Sequence, residues 1–174
     1  MTAEIFLSVF LGIGLAASSG FRVFVPLFEL SCASYFGIIP LNETWMWVGS
    51  VPALVILGVA SIVESVSYLV PVPVLDNLLD TIAVPLAGVA GTLAIVAGGG
   101  AATIKGTSAT TRAVSTATTG GLVNPAISMA ETGTAIGLSV LSIFAPIIAM
   151  VALVIGLIGF IWLITKLRKS NNIR

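Results

Sequence analysis

Long apolar runs, separated by short polar segments, dominate the chain. Residues 5–37 and 132–166 are almost continuously apolar. A single helix over residues 5–37 would be roughly 48 Å long, which is too long for one untilted membrane crossing. We therefore predict that both runs are broken, the first near residues 18–20 or Pro26 and the second at Pro146.

Two segments have the pattern of membrane crossings. Residues 45–69 carry tryptophans at one end and Tyr68 at the other, like paired aromatic belts, and span roughly 35 Å as a helix. Residues 138–162 are apolar and are followed by four basic residues between positions 166 and 174. The excess of basic residues after this segment predicts a cytoplasmic C-terminus, whereas the side of the N-terminus depends on whether the crossings number four, five or six.

Two further segments are predicted to be helical. Residues 81–97 are apolar and follow Asp80, a residue type suited to a helix N-cap. Residues 101–119 consist mainly of small and hydroxyl-bearing residues, among which Lys105, Ser108, Arg112, Ser115 and Thr119 recur at spacings of three and four. That spacing favours an interior helix, and the alternative is a polar loop.

The composition agrees with a membrane protein. Hydrophobic residues make up 57% of the 174 positions, charged residues make up 8%, and the mean hydropathy is +1.16. A typical soluble domain has roughly 25% charged residues. We predict an all-α polytopic transmembrane bundle of four to six membrane segments, some of them broken or re-entrant, that forms one domain over residues 1–174. Glu4 stands where a signal peptide would be positively charged, so we expect no cleaved signal.

Composition also excludes several function classes. The chain has no histidine and one cysteine, so we expect neither a histidine-ligated metal nor an intrachain disulfide, and no cofactor. Its formal net charge is zero, which gives no basic face for nucleic acid. The expected partners are membrane lipid, a small solute or ion, and a second copy of the chain.

Several charged residues interrupt the apolar runs, where they need partners or water. Arg22 precedes Glu29 by two helical turns, so a structural ion pair between them is one interpretation, and a functional site is the other. We expect Glu64 to lie near the membrane interface. Asn124 is the expected cap of a helix that carries Glu131 two turns further on, and Lys105 or Arg112 is the first candidate partner of Glu131.

An acidic motif occupies residues 76–80. Asp76 and Asp80 lie four residues apart around Asn77, so one helical turn would place both carboxylates on one face. Like charges at that spacing repel unless they are hydrated, share a proton or face a cation. We interpret the motif as a gate or ion-binding element, and the alternative is a pair of helix caps at the membrane surface.

Three strings of residues resemble a known family. They are Gly-Phe-Arg-Val-Phe-Val-Pro at 20–26, Asp-Asn-Leu-Leu-Asp-Thr-Ile-Ala-Val-Pro at 76–85, and Thr-Arg-Ala at 111–113 followed by Asn124, Ser128 and Glu131. Together they resemble domain-of-unknown-function family 4126, which comprises bacterial multi-pass membrane proteins. The resemblance implies a helical protein of the bacterial cytoplasmic membrane and supplies no activity. It also implies histidine and lysine where this chain has Lys105 and Ser108, and an acid where it has Thr132.

These observations favour a small transporter or channel-like protein with a buried polar site for a small anionic solute or a lipid headgroup. Its predicted ligand-binding residues are Arg22, Lys105, Arg112, Asn124 and Glu131, and its predicted gate or ion-binding residues are Asp76, Asn77 and Asp80. The alternative is a non-catalytic scaffold or lipid-binding protein whose charges form structural pairs. An enzyme using the paired aspartates is the third and weakest hypothesis. We also predict a homodimer. Gly133 and Gly137 form a Gly-x-x-x-Gly pair that serves either the dimer interface or helix packing within one chain.

Overall fold

The computed structural model describes residues 2–41, 43–67, 69, 110, 114–115, 117–120 and 122–171, and the following account concerns these residues. They form helices joined by short connections, with no strand among them. The α-helices are α1 (Thr2–Phe21), α2 (Phe24–Tyr35), α3 (Val51–Ser67), α4 (Asn124–Phe144) and α5 (Pro146–Asn171), and a 3₁₀ helix (Glu43–Gly49) precedes α3. This confirms the all-helical fold class.

The first apolar run is broken, as predicted. Helix α1 ends at Phe21 and α2 begins at Phe24, so Arg22 and Val23 form the break. Pro26 lies in the first turn of α2, where a residue without an N–H group loses no helical hydrogen bond. The backbone N–H of Arg22 still donates to Ser18 O at 3.2 Å, so helical hydrogen bonding extends to the break itself.

The second apolar run is broken at Pro146, also as predicted. Ala145 separates α4 from α5 with an extended backbone (φ −146°, ψ 67°). The steric effect of a proline on the preceding residue disfavours helical angles there, which accounts for the break. The predicted crossing over residues 138–162 therefore lies across two helices, α4 and α5.

The segment predicted to be helical from Trp45 to Leu69 is also divided. Helix α3 begins at Val51, and the two tryptophans before it lie in the 3₁₀ helix. Ser50 Oγ accepts a hydrogen bond from the backbone N–H of Ala53 at 3.4 Å, and Pro52 occupies the first turn. A serine cap and an early proline are the usual start of an α-helix, so the tryptophans precede α3 rather than open it.

The interior is lined by small and polar residues. Helix α1 packs against α4, α2 packs against α3, and α5 contacts both α1 and α4. The buried apolar side chains in the described residues are alanine and valine, apart from Pro26, and the buried polar ones include eight serines. At the crossing of α1 and α4, a methyl group on Gly14 would lie 2.8 Å from Ser142 Cβ, so only glycine permits this approach.

The outer surface, by contrast, is strongly apolar. Helix α5 exposes most of its large side chains, including Ile148, Ile155, Ile158 and Phe160. Two of the described helices are long and apolar enough to cross a membrane, namely α4 and the Pro146–Lys166 part of α5. Residues 6–21 of α1 and all of α3 are shorter apolar helices.

Some predicted elements lie outside the described residues. These are the apolar segment over residues 81–97 and most of the segment over residues 101–119. Within the second segment, Thr110, Val114, Ser115 and residues 117–119 are described, and all are helical. These positions are helical as predicted, but all of them except Ser115 are exposed, so an interior location is not confirmed for them.

Candidate functional site

Arg22 lies at the break between α1 and α2 and is completely buried, with 0% of its surface exposed. Its guanidinium group contacts one face of α4. Nε donates to Thr132 Oγ1 at 3.0 Å, and Nη2 donates to both Ser128 O, at 3.1 Å, and Ser128 Oγ. Uncharged oxygen atoms of α4 therefore hold the guanidinium in position.

A carboxylate lies near the same guanidinium without a direct hydrogen bond to it. Glu131 Oε2 is 3.8 Å from Arg22 Nη2, which is longer than the roughly 2.7–2.9 Å of a charge-assisted hydrogen bond. Arg22 is therefore interior and within ion-pair distance of a carboxylate, as expected for a charge in an apolar run. Among the carboxylates of the described residues, the partner is Glu131 and not Glu29.

Glu29 contacts a hydroxyl group instead. Ser139 of α4 donates a short hydrogen bond to Glu29 Oε2. The predicted pairing with Arg22 assumed that one helix continues from Arg22 to Glu29, which would place them on the same face. The break at Arg22 and Val23 removes that register, so the interpretation of these two residues as a local ion pair was wrong.

Glu64 closes the break from the neighbouring helix α3. Its Oε1 accepts a hydrogen bond from Val23 N at 2.9 Å, and its Oε2 accepts one from Phe24 N at 3.0 Å. The side chain is buried, with 7% of its surface exposed. A carboxylate at a helix N-terminus satisfies open amides and interacts favourably with the helix dipole.

Asn124 is buried and begins α4, but it is not the helix cap. The N-cap position belongs to Val123, which makes no side-chain capping bond, and Pro125 follows in the first turn. Asn124 was predicted as the cap because Asn-Pro is a common helix start. It instead lies one turn before Ser128 on the buried face of α4.

The buried face of α4 is a continuous polar stripe, which we define as Asn124, Ser128, Glu131, Ala135, Ser139 and Ser142. Ala135 belongs to it through its carbonyl oxygen, which accepts hydrogen bonds from the hydroxyl groups of Ser18 in α1 and Ser139, both at 2.7 Å. From first to last residue the stripe is about 27 Å long, close to the roughly 30 Å thickness of a bilayer hydrocarbon core.

Sequence reasoning missed several residues of this site. Ser18, Thr132, Ser139 and Ser142 were not among the predicted site residues, although each makes a hydrogen bond there. A signal was present, because the polar residues of α4 recur at spacings of three and four. The remaining predicted site residues, Lys105, Arg112, Asp76, Asn77 and Asp80, lie outside the described residues.

The fold and the site together define a class: an all-helical protein with an apolar surface, a polar interior and a helix broken at a buried arginine. The chain belongs to the family described as domain of unknown function (DUF4126), whose model matches residues 9–97 and 92–166. Neither the curated proteins nor the solved structures include a match to this chain.

Proposed function

We propose that this chain is a small integral membrane protein that carries a small anionic solute past the polar stripe of α4. The distribution of side chains supports the membrane location. Large apolar residues are exposed along α4 and α5, while eight serines, Asn124 and the charged residues Arg22, Glu64 and Glu131 are buried. Lipid chains solvate such an exterior, whereas polar groups avoid them.

The environment of Arg22 is the observation that carries the anion part of the proposal. Neutral oxygens of Ser128 and Thr132 position the guanidinium, and Glu131 stays at 3.8 Å. The positive charge is therefore fixed in the interior, at the break between α1 and α2 and away from the apolar surface. A buried guanidinium that is held in one position suits recognition of a carboxylate or phosphate group.

Residues outside the described ranges have roles in this proposal. Lys105 and Arg112 would add positive charge to the site, and Asp76, Asn77 and Asp80 would form its gate. The bundle would contain four to six membrane segments, and the chain would lie in the bacterial cytoplasmic membrane with its C-terminus in the cytoplasm, as the basic C-terminal residues indicate.

Anion flux in proteoliposomes tests the proposal. Purified protein is reconstituted into vesicles loaded with acetate or phosphate. The efflux of the anion is compared with that from equally loaded vesicles that contain no protein. A lipid headgroup has the same anionic chemistry, so a second arm measures flipping of a fluorescent anionic lipid. Flux of the free anions supports a solute site, flipping alone supports a headgroup site, and neither activity would contradict the proposal.

The aspartate motif provides a matched pair of variants. Asp80 immediately precedes a predicted helix, where Asn is an equally good cap, so Asp80→Asn is expected to have a mild effect. Asp76 has no such local role, so Asp76→Asn is expected to alter flux while the protein remains folded. Equal, unchanged flux in both variants would remove the gate from the proposal.

A second candidate function is a scaffold or lipid-binding protein without transport. The contacts of Glu64 favour it, because both carboxylate oxygens are used to close the break between α1 and α2. In these contacts Glu64 stabilises the fold and binds no solute. Absence of flux for wild-type protein, combined with retained stability in both aspartate variants, would favour this candidate.

A further inference from the structure

We propose that the connection between α2 and α3 is a lipid-binding anchor that lies in the headgroup region of the bilayer and receives the uncharged ester region of a phospholipid in a recess at its base. This inference rests on the membrane location put forward under the proposed function. It concerns a different part of the molecule from the Arg22 site.

The connection presents an exposed aromatic patch, which we define as Tyr35, Phe36, Ile38, Met46 and Trp47. Each of these side chains has about half or more of its surface exposed, from 49% for Tyr35 to 70% for Phe36. The Tyr35 and Phe36 rings meet edge to face with centroids 5.2 Å apart. The ring centroids of Trp45 and Trp47 are 6.2 Å apart. Exposed apolar clusters of this kind mark an interaction surface.

The backbone holds the patch rigidly against α2. Ser31 Oγ donates to Val48 O at 2.6 Å, which fastens the 3₁₀ helix to α2. Gly49 approaches Ser34 so closely that a methyl group there would lie 3.1 Å from Ser34 Cβ. Gly37, with φ of 71°, allows the chain to turn sharply after α2. The aromatic side chains therefore project from a fixed frame.

The chemistry of the patch selects a lipid interface over other partners. Tryptophan and tyrosine combine an apolar ring with one polar group, and they concentrate where hydrocarbon meets headgroups. The 3₁₀ helix leads directly into α3, which exposes Val51, Val55 and Val59 at helical spacing. A bilayer covers both surfaces at once.

A recess opens beside the patch. It has a volume of about 340 Å³ and lies between the end of α2 and the 3₁₀ helix. Ile39, Leu41 and Met46 supply its apolar wall, and Ser34 supplies a hydroxyl group. None of the described residues lining it is charged. The lining combines apolar side chains with polar groups, among them the Ser34 hydroxyl, and the recess is open on one side. It suits the uncharged ester region of a phospholipid, in contrast to the anion expected at Arg22.

Depth-dependent fluorescence quenching tests the anchor. The full-length protein is reconstituted in phosphatidylcholine vesicles that contain lipids brominated either near the headgroup or near the chain terminus. A Trp45→Phe, Trp162→Phe variant leaves Trp47 as the reporter. We expect shallow bromine to quench Trp47 about twofold more than deep bromine, as for an interfacial indole.

A second variant reports separately on membrane insertion. Ile155 lies near the middle of the Pro146–Lys166 segment and is 63% exposed. Ile155→Trp, in a background with all three native tryptophans changed to Phe, should be quenched most by deep bromine.

The two reporters distinguish failure of the anchor from failure of the proposed function. Deep quenching at position 155 with Trp47 quenched by aqueous iodide alone would overturn the anchor and leave the membrane location intact. Strongest quenching of Trp47 by deep bromine would also overturn it, since the patch would then lie in the hydrocarbon core. Absence of lipid quenching at both positions would overturn the membrane location and the anchor together.

Discussion

Helices α4 and α5 are adjacent in sequence and both are long and apolar enough to cross a membrane, yet they differ in what they bury. In the most apolar 18-residue segment of α4, 28% is buried, and the buried positions of this helix form the polar stripe. In the corresponding segment of α5, only 6% is buried. One helix therefore faces the interior through polar groups, and the other faces outward through apolar ones.

This difference shows where specific structure resides in the chain. In lipid, apolar side chains gain little by contacting one another, because lipid tails solvate them equally well. Close approach and hydrogen bonds between helices must then provide the specificity. Ser18 of α1, Arg22 at the break between α1 and α2, and Ser139 of α4 supply such bonds. We therefore expect mutations at the contacts of α4 to lower the free energy of unfolding much more than mutations on the outer face of α5.

The largest effect is expected for Arg22→Met. The change removes three hydrogen bonds to α4 and leaves Glu131 without its neighbouring positive charge. Breaking a buried pair from one side costs about 3–5 kcal/mol. Unfolding in a titration of sodium dodecyl sulfate, followed by circular dichroism, should show this loss. A loss below about 1 kcal/mol would mean that Arg22 contributes little to structure.

Glu64→Ala should have the next largest effect. It leaves the amides of Val23 and Phe24 without the acceptor that the carboxylate provides. Hydrogen bonds to charged groups contribute about 1.5–3 kcal/mol, so we expect a loss in that range. Glu64→Gln keeps one acceptor oxygen and should lose less in the same titration. Equal losses in the two variants would contradict the capping role.

Gly14→Ala tests the close contact of α1 with α4. The added methyl group would overlap Ser142, and overpacking of this kind costs about 1–3 kcal/mol. Gly156→Ala on α5 is the matched control, because a methyl group there meets nothing within 4 Å. The control should be neutral or slightly stabilising, since alanine favours helix. The companion change Ser142→Gly should restore stability to Gly14→Ala, and failure to do so would argue against direct overlap.

The smallest effect is expected on the outer face of α5. Ile158 is 61% exposed, so Ile158→Ala should change the free energy of unfolding by less than about 0.5 kcal/mol in the detergent titration. A loss above about 1 kcal/mol would indicate that this face packs against protein, such as the second copy in the predicted homodimer. Chemical cross-linking in vesicles would then identify the contact.

Much of the fold could be predicted from the sequence, because breaks in apolar runs are local events. The run over residues 5–37 is too long for one crossing, and Pro146 cannot continue the helix before it. Both features follow from the local sequence and require no knowledge of the tertiary contacts. The start of α3 was misplaced because the aromatic belt pattern outweighed the local serine and proline signals at Ser50 and Pro52.

Partners of the buried charges could not be predicted in the same way. Arg22 and Glu29 share a face only if the helix continues, and a break of two residues is enough to turn Glu29 toward Ser139. Glu64 caps α2 from a position about forty residues further along the chain. Such contacts depend on how helices assemble, which hydrophobic periodicity does not encode.

The cap on α2 has a consequence for biogenesis in the proposed membrane setting. Amides that lack partners in lipid cost several kcal/mol each. The start of α2 acquires its acceptor only when residue 64 has been synthesised and α3 has docked. The first three helices should therefore leave the insertion machinery together, as one hairpin-like unit, rather than partition into the bilayer one at a time.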